Sequence, residues 1–273
     1  MNDPASQAQI DSAAAYEEFF VPALFQEWAP RVVAAARIRP RDRVLDVACG
    51  TGVLAREAAS HVGSTGSVAG LDPNPGMLTV AARLAPAIEW RRGTAESLPY
   101  ADRSFDVVVS QFGLMFFADQ RQAVREMLRV LAPDGRFAIA VWDDLDSTPA
   151  YAAEVALLAR IAGQRAADAL RAPFALGRRQ ELEALFAGVG RSSFAITTHR
   201  GTGRFPSIRS MVEADVRGWL PIMGVVLAEA VIGRILTEAE LALRPHLTAD
   251  GKVVFATSAH IVAGTKGQCC QER

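Results

Sequence analysis

Near the start of the chain, apolar Tyr16, Phe19, Phe20, Leu24 and Trp28 recur at mixed three- and four-residue spacing, which predicts a helix. The pattern continues through Arg31 to Ile38, and Pro40 stops it. From residue 43 the period changes. Val44-Leu45-Asp46-Val47-Ala48 is a short apolar run that ends in Cys49-Gly50-Thr51-Gly52 and leads into a helical stretch over 53–61: strand, tight glycine turn, helix. Residues 67–72 predict a second strand ending in Asp72, and 75–84 the next helix. A weak third strand follows at 88–91 and a strong fourth at 105–110. Ala123, Val124, Met127, Leu128 and Leu131 mark a helix over 120–131, and 136–142 is a fifth strand after an Asp134-Gly135 turn. Strands alternating with helices imply βαβ units and a parallel, doubly wound sheet, whose ligand sits beyond the carboxyl ends of the strands.

After Asp143 the rhythm loosens. Helices are predicted at 149–161, 179–188, 208–220 and 237–247, and strands at 194–199 and 253–263, the last entered through Asp250-Gly251. These two strands complete a mainly parallel seven-stranded sheet, reached through helical insertions at 147–177 and 205–250.

Composition narrows the picture. Half of the 273 residues are apolar, 22% are charged and the formal net charge is −1, which fits a globular protein with a real core. No basic stripe is visible, so no nucleic-acid partner is expected. Cys49, Cys269 and Cys270 make no disulfide framework and fit a reducing cytoplasm. The N-terminal residues lack the basic-then-apolar pattern of a secretory signal. The most apolar long stretch, 219–233, is broken by Pro221, Gly224 and Glu229, so no stable membrane insertion is expected.

The chemistry concentrates around the first glycine turn. Gly50 and Gly52 let backbone approach a ligand closely at a helix N-terminus. Asp72, 20 residues after Gly52, can accept hydrogen bonds from both hydroxyls of a ribose. Gly50-x-Gly52-x-x-Ala55 also fits a dinucleotide fingerprint. Asp46, four residues before Gly50, weighs against that: it would crowd a pyrophosphate but suits a ligand bearing an ammonium and a sulfonium. Gly93-Thr94-Ala95-Glu96 follows the third strand, where an adenine edge would lie.

In these motifs the chain resembles the class I S-adenosylmethionine (SAM)-dependent methyltransferases, in particular the branch of quinone C-methyltransferases and small-molecule methyltransferases. The residues that carry the resemblance are VLDVACGTG (44–52), GLDPNPGML (70–78), GTAESLPYADRSFDVVVSQFGLMFF (93–117) and EMLRVLAPDGRFAIAVW (126–142). It implies a Rossmann-like core at 41–145 that binds SAM, between an N-terminal helical lid segment (1–40) and a remainder (146–273) that finishes the sheet and caps the substrate. It also implies that Asp46, Ala48, Gly50, Thr51 and Gly52 wrap the methionine and ribose of SAM, with Asp72 on the ribose hydroxyls and Pro73 and Met77 near the adenine. Ala95 and Glu96 would face the adenine edge, and Gln111 and Phe112 would lie beside the transferred methyl. Thr94 stands where the family often has Asp, so the usual carboxylate to the adenine amino group is missing.

The expected activity is methyl transfer from SAM, leaving S-adenosylhomocysteine, to a small, apolar or ring-containing acceptor. Tyr16, Phe20, Met115, Met211 and Trp219 are expected to wall that acceptor, partly because methionines adapt their shape. Displacement at a sulfonium carbon mainly needs alignment and exclusion of water, and no catalytic constellation is visible. The alternatives are a SAM-binding protein without methyl transfer and a nicotinamide-dependent oxidoreductase. His61, His199, His246 and His260 lack ligand spacing, so no metal is expected. Cys49 reads as a small packed residue, Cys269-Cys270 as a tail and Arg91-Arg92 as a solvated strand end. Monomer and homodimer are both open.

Overall fold

The computed structural model describes residues 5–189 and 192–267. The predicted seven-stranded sheet is present: β1 (Arg43–Val47), β2 (Ser67–Asp72), β3 (Glu89–Arg92), β4 (Phe105–Gln111), β5 (Leu131–Trp142), β6 (Ser192–Phe205) and β7 (Val253–Lys266). Their order is β3-β2-β1-β4-β5-β7-β6. The first five are parallel, and β7 runs antiparallel between β5 and β6. Helices on both faces bury the central strands, which explains their continuous apolar runs. Val44, Leu45, Val47, Val107, Val108 and Val109 are all fully buried. Asp46 is the only carboxylate in β1 and lies in the middle of that layer. The chain order reverses between β1 and β4, the switch point at which such sheets bind ligands.

The N-terminal segment departs from the prediction. Helix α1 (Gln7–Ala15) starts earlier, in a capping box where the Ser6 hydroxyl accepts the Gln9 N–H and the Gln9 side chain accepts the Ser6 N–H. It then widens into a π-helical stretch, Tyr16–Phe25, that contains Pro22, and passes through a 3₁₀ turn into α2 (Ala29–Ala36). Pro22 has no N–H to donate, and wider turns are a usual accommodation at such a break. Crossover helices α3 (Val53–Val62), α4 (Pro75–Leu84) and α5 (Gln120–Val130) lie where expected. The Asp134-Gly135 turn is part of β5 itself: Phe105 pairs with Leu131 and Val107 with Arg136, so residues 132–135 bulge out of the ladder.

Three further boundaries move. β6 and β7 pair along their whole length, Ser192 with Lys266 to Phe205 with Val253. The polar, glycine-containing stretch 199–204 does not read as strand. It becomes one because Trp28 packs over Gly201 and Phe255 over Gly203, where side chains would collide. The helix predicted from residue 237 begins at Glu229, with the Thr237 hydroxyl donating to the Gly233 carbonyl one turn back. The helix predicted at 208–220 is α-helical only over Ile208–Glu213, then π-helical over Ala214–Trp219. The two π-helical stretches pack against each other. Helices α6 (Pro149–Ile161), α7 (Gln164–Arg171) and α8 (Arg179–Ala187) fill the link between β5 and β6. No described helix is long and apolar enough to cross a membrane.

The Phe137 ring, 2% exposed on β5, stacks on Phe186 of α8 with centroids 6.0 Å apart. Truncating a buried phenylalanine costs about 3–5 kcal/mol. Phe137→Ala is therefore expected to lower the denaturant midpoint accordingly with an unchanged m-value. A loss under about 1 kcal/mol in urea unfolding would show that α8 does not depend on this contact.

Candidate active site

The turn after β1 is held in a conformation that few side chains tolerate. Ala48, Gly50 and Gly52 all have positive φ, at 58°, 54° and 88°. At Gly52 a β-carbon would collide with the Trp90 ring, so packing demands glycine there. At Gly50 the nearest atom to a β-carbon is Tyr16 Cε1 at 3.9 Å, so the space above it is open. Asp72, at the end of β2, ties two loops together: one oxygen accepts the Gly50 N–H at 2.9 Å and the other the Asn74 N–H at 2.8 Å. Asn74 in turn caps α4 through the Gly76 N–H at 2.8 Å.

Asp46 is 1% exposed, and among the described residues neither of its oxygens receives a hydrogen bond of good geometry, with the Ala55 backbone amide the donor nearest to one. Thr51 Oγ1 and Gln111 Oε1 are buried and unpartnered as well, while Gln111 Nε2 donates to the Phe25 carbonyl. Asp46, Ala48, Gly50, Thr51 and Gln111 line a cavity of about 30 Å³, closed on one side by Tyr16 and Phe25. Buried polar atoms nearly always find partners, so such a concentration marks a ligand site. Burial pushes the Asp46 carboxyl well above its usual range against the opposing pull of the Ala55 backbone amide, and neighbouring Asp72 pushes it further. Burial also raises Asp72, against the opposing pull of the Asn74 and Gly50 amides. The Cys49 thiol is raised by burial first, which leaves it inert and consistent with a packed residue.

Tyr16 and Phe25 also line a second cavity, about 100 Å³ in volume. Its walls are aromatic. Phe112, at φ 56°, stacks on Trp142 with centroids 3.9 Å apart, and Trp28 meets both rings edge-on. Phe20 and Trp219 complete the wall, the Trp219 indole N–H held by the Ala169 carbonyl at 2.9 Å. Met115 and Met211, expected in this wall, are buried in the core and do not line the cavity. The 3₁₀ turn Leu114–Phe116 sends Phe116 to the wall in place of Met115. Arg56 pins the N-terminal segment over the site, bridging the Thr51 carbonyl and the Glu17 carboxylate, each at 2.7 Å.

Pro73, Met77, Thr94, Ala95 and Glu96 line neither cavity. They gather just beyond the ends of β2 and β3, and Glu96 is already engaged: its Oε1 accepts the Ala118 N–H at 2.8 Å. Sequence reasoning missed Thr148, Tyr151, Asp215 and Thr257, which line the aromatic cavity. The available signal was Tyr151 with Glu154, two polar groups on one face of an otherwise apolar helix. His260 is a structural residue, held between Thr198 Oγ1 and the Gly177 carbonyl, and His199 bonds Thr197. Among the described residues no group of three or more His, Cys, Asp or Glu is placed to hold a metal ion. Cys269-Cys270 lies outside the described residues.

Residues 45–139 match the family model described as a methyltransferase domain. This core is similar to the class I SAM-dependent methyltransferase domains. Its relatives include the demethylmenaquinone methyltransferase of Lactobacillus johnsonii, 39% identical over 41% of this chain and 48% of that protein. The ubiquinone/menaquinone biosynthesis C-methyltransferase UbiE of Ectopseudomonas mendocina is 40% identical over 42% of this chain and 48% of its own length. The chain thus spans about half the length of the curated relatives it matches. The YcgJ protein of Bacillus subtilis shares the fold, with a TM-score of 0.59 over 89% of this chain and 99% of that one, at 23% identity.

A carboxyl raised in the folded state holds a proton there that it has lost in the unfolded chain. Forcing it to ionise therefore costs stability as pH rises from the ordinary aspartate range, near ~4, through the raised value. Asp46→Asn removes that cost. The ligand-free variant is expected to match the parent's melting temperature at about pH 4–5 and to exceed it increasingly toward pH ~8. A difference that does not change with pH in calorimetric scans would mean that Asp46 is not a strained buried acid.

Proposed function

We propose that the protein transfers a methyl group from SAM to a small, ring-containing acceptor. The observation that carries this reading is the unpartnered Asp46 carboxylate at the bottom of a small cavity that adjoins an aromatic one through Tyr16 and Phe25. The methionine end of SAM carries an ammonium and a sulfonium, and the donor set fits both charges. Asp46 offers a buried acid that a cation would compensate. Gly50 and Gly52 leave room for close approach, and Asp72 keeps lone pairs for ribose hydroxyls beyond those given to Gly50 and Asn74. The same acid argues against a nicotinamide dinucleotide, whose pyrophosphate would be repelled.

Bound SAM supplies an electrophilic methyl carbon on a positively charged sulfur. The protein's own groups do the rest by positioning. The Tyr16 and Phe25 rings stand between the two cavities, where ring faces favour a nearby cation. Phe112 and Trp142 form a flat surface for a ring, and the aromatic walls keep water from the reacting atoms. The N-terminal segment and the 205–250 insertion act together as the cap, each contributing wall residues. A binding protein that no longer transfers methyl would need no second cavity beside the first, and this favours the enzyme reading. The proposed setting is cytoplasmic, with a small-molecule partner.

Calorimetry with SAM and a methyl-label screen against candidate ring acceptors test the proposal. Asp72→Ala removes acceptors of charge-assisted hydrogen bonds worth roughly 1.5–3 kcal/mol each, so SAM affinity is expected to fall at least tenfold. Undiminished affinity would end the ribose assignment. Trp219→Ala is expected to leave SAM binding within a few-fold and to lower methylation strongly; equal losses in both would argue against a separate acceptor cavity. Turnover is expected to be indifferent to EDTA, and activity restored only by an added divalent metal would contradict the positioning mechanism.

A further inference from the structure

The aromatic cavity has one polar end, built from three elements. Tyr151 and Glu154 lie one turn apart on α6, Asp215 sits in the π-helical stretch Ala214–Trp219, and Thr257 comes from β7. Asp215 is 1% exposed and Glu154 fully buried. The Tyr151 hydroxyl and the Glu154 carboxyl both stand within hydrogen-bonding reach of Asp215. Beyond that proximity, no hydrogen bond of good geometry reaches Asp215 Oδ2 or either Glu154 oxygen from the described residues. Two carboxyls side by side in a dry site cannot both ionise. Burial raises both, and each carboxyl raised in this way keeps its proton further into the neutral range. The hydroxyls of Thr148 and Thr257, at 1% and 2% exposure, line the same cavity and have no partner either. A carboxyl pair is not needed to fill this space: apolar side chains of similar volume would pack there at lower cost.

We propose that this polar end is a recognition site for a hydrogen-bond donor on the acceptor: a hydroxyl or protonated amine, carried on the ring that the aromatic walls hold, given to Asp215 with Glu154 behind it. This rests on the methyl-transfer reading for the word acceptor, but the site itself is defined by its own groups. Thr148 and Thr257 flank the donor and accept or donate as it requires. A carboxylate-bearing ring is excluded, because a third acid in this pocket would find no counter-charge.

Quenching of tryptophan fluorescence reads occupancy, since Trp142 and Trp219 both line the cavity. The probes are 2-naphthol, 2-naphthylmethylammonium, naphthalene and 2-naphthoate. The parent protein is expected to bind at least one of the two donor probes about threefold or more tighter than naphthalene, the ratio a net hydrogen bond to a buried carboxyl gives, and to reject naphthoate. The tighter of the two names the donor. Asp215→Leu is expected to bring the ratio near one while naphthalene still binds. Should that variant fail to fold, Asp215→Asn keeps the volume and is expected to lower only the ammonium probe. The proposal is overturned if naphthalene binds as well as both donors, if no probe binds, or if the Asp215 variants weaken all probes equally. Calorimetry with S-adenosylhomocysteine on the same proteins keeps the two readings apart: its failure to bind the parent would remove methyl transfer and leave the probe ratios standing.

Discussion

An ionised carboxylate in the middle of a parallel sheet, with no partner, costs several kcal/mol. Asp46 occupies such a place, flanked in β1 by Leu45 and Val47 and across the ladder by Gly70 and Val109. Everything around it makes that position tolerable without satisfying it. Its carboxyl is raised by burial, the Asp72 carboxyl lies close by, and the glycine turn above leaves the space open where a cation would sit. Asp72 is under a different constraint. It is spent partly on holding the turns after β1 and β2 to each other, so the acid proposed to bind ribose is also what gives the glycine loop its shape.

The second constraint is aromatic. Tyr16 and Phe25 belong to a π-helical stretch and stand between the two cavities, stacked with centroids 5.4 Å apart. A regular α-helix would put side chains from 16 to 25 on a different set of faces, so the wider turn decides which rings reach the site. The same kind of turn recurs at Ala214–Trp219 and brings Asp215 and Trp219 to the opposite wall. Both stretches lie outside the strands of the core, the first in a segment held by Arg56 to Glu17 and by the Glu27 carboxylate to the Thr202 N–H, the second tied by the Trp219 indole N–H to the Ala169 carbonyl. Such attachments are weaker than sheet ladders.

Much of the core was legible because local pattern and tertiary role agree there. Continuous apolar runs bounded by Gly50-Thr51-Gly52 and Asp72 can only be buried parallel strands, and the helices between them have one apolar face. The methyltransferase motifs sit on those same elements, so their place at the switch point followed. Beyond Asp143 the agreement fails. The stretch 199–204 is polar and glycine-rich, and only the rings of Trp28 and Phe255 make it a strand. Met115 and Met211 have the right chemistry for a wall, but side-chain direction, not spacing, decides whether a residue faces core or cavity.

The sequence by itself determined the sheet, the glycine turn and its acids, and the kind of ligand those acids suit, since each follows from short-range geometry and charge within a few residues of chain. Only the tertiary structure decided what the second cavity is made of. Tyr16 from the first segment, Phe112 and Trp142 from strand ends, Tyr151 from one insertion and Asp215 from another meet there across separations of up to two hundred residues. No local period records such a meeting, because it depends on how three long connections pack over the same sheet edge. The pairing of Tyr151 with Glu154 on one helix face is visible locally, but no local pattern reveals that Asp215, from another insertion, is buried beside them.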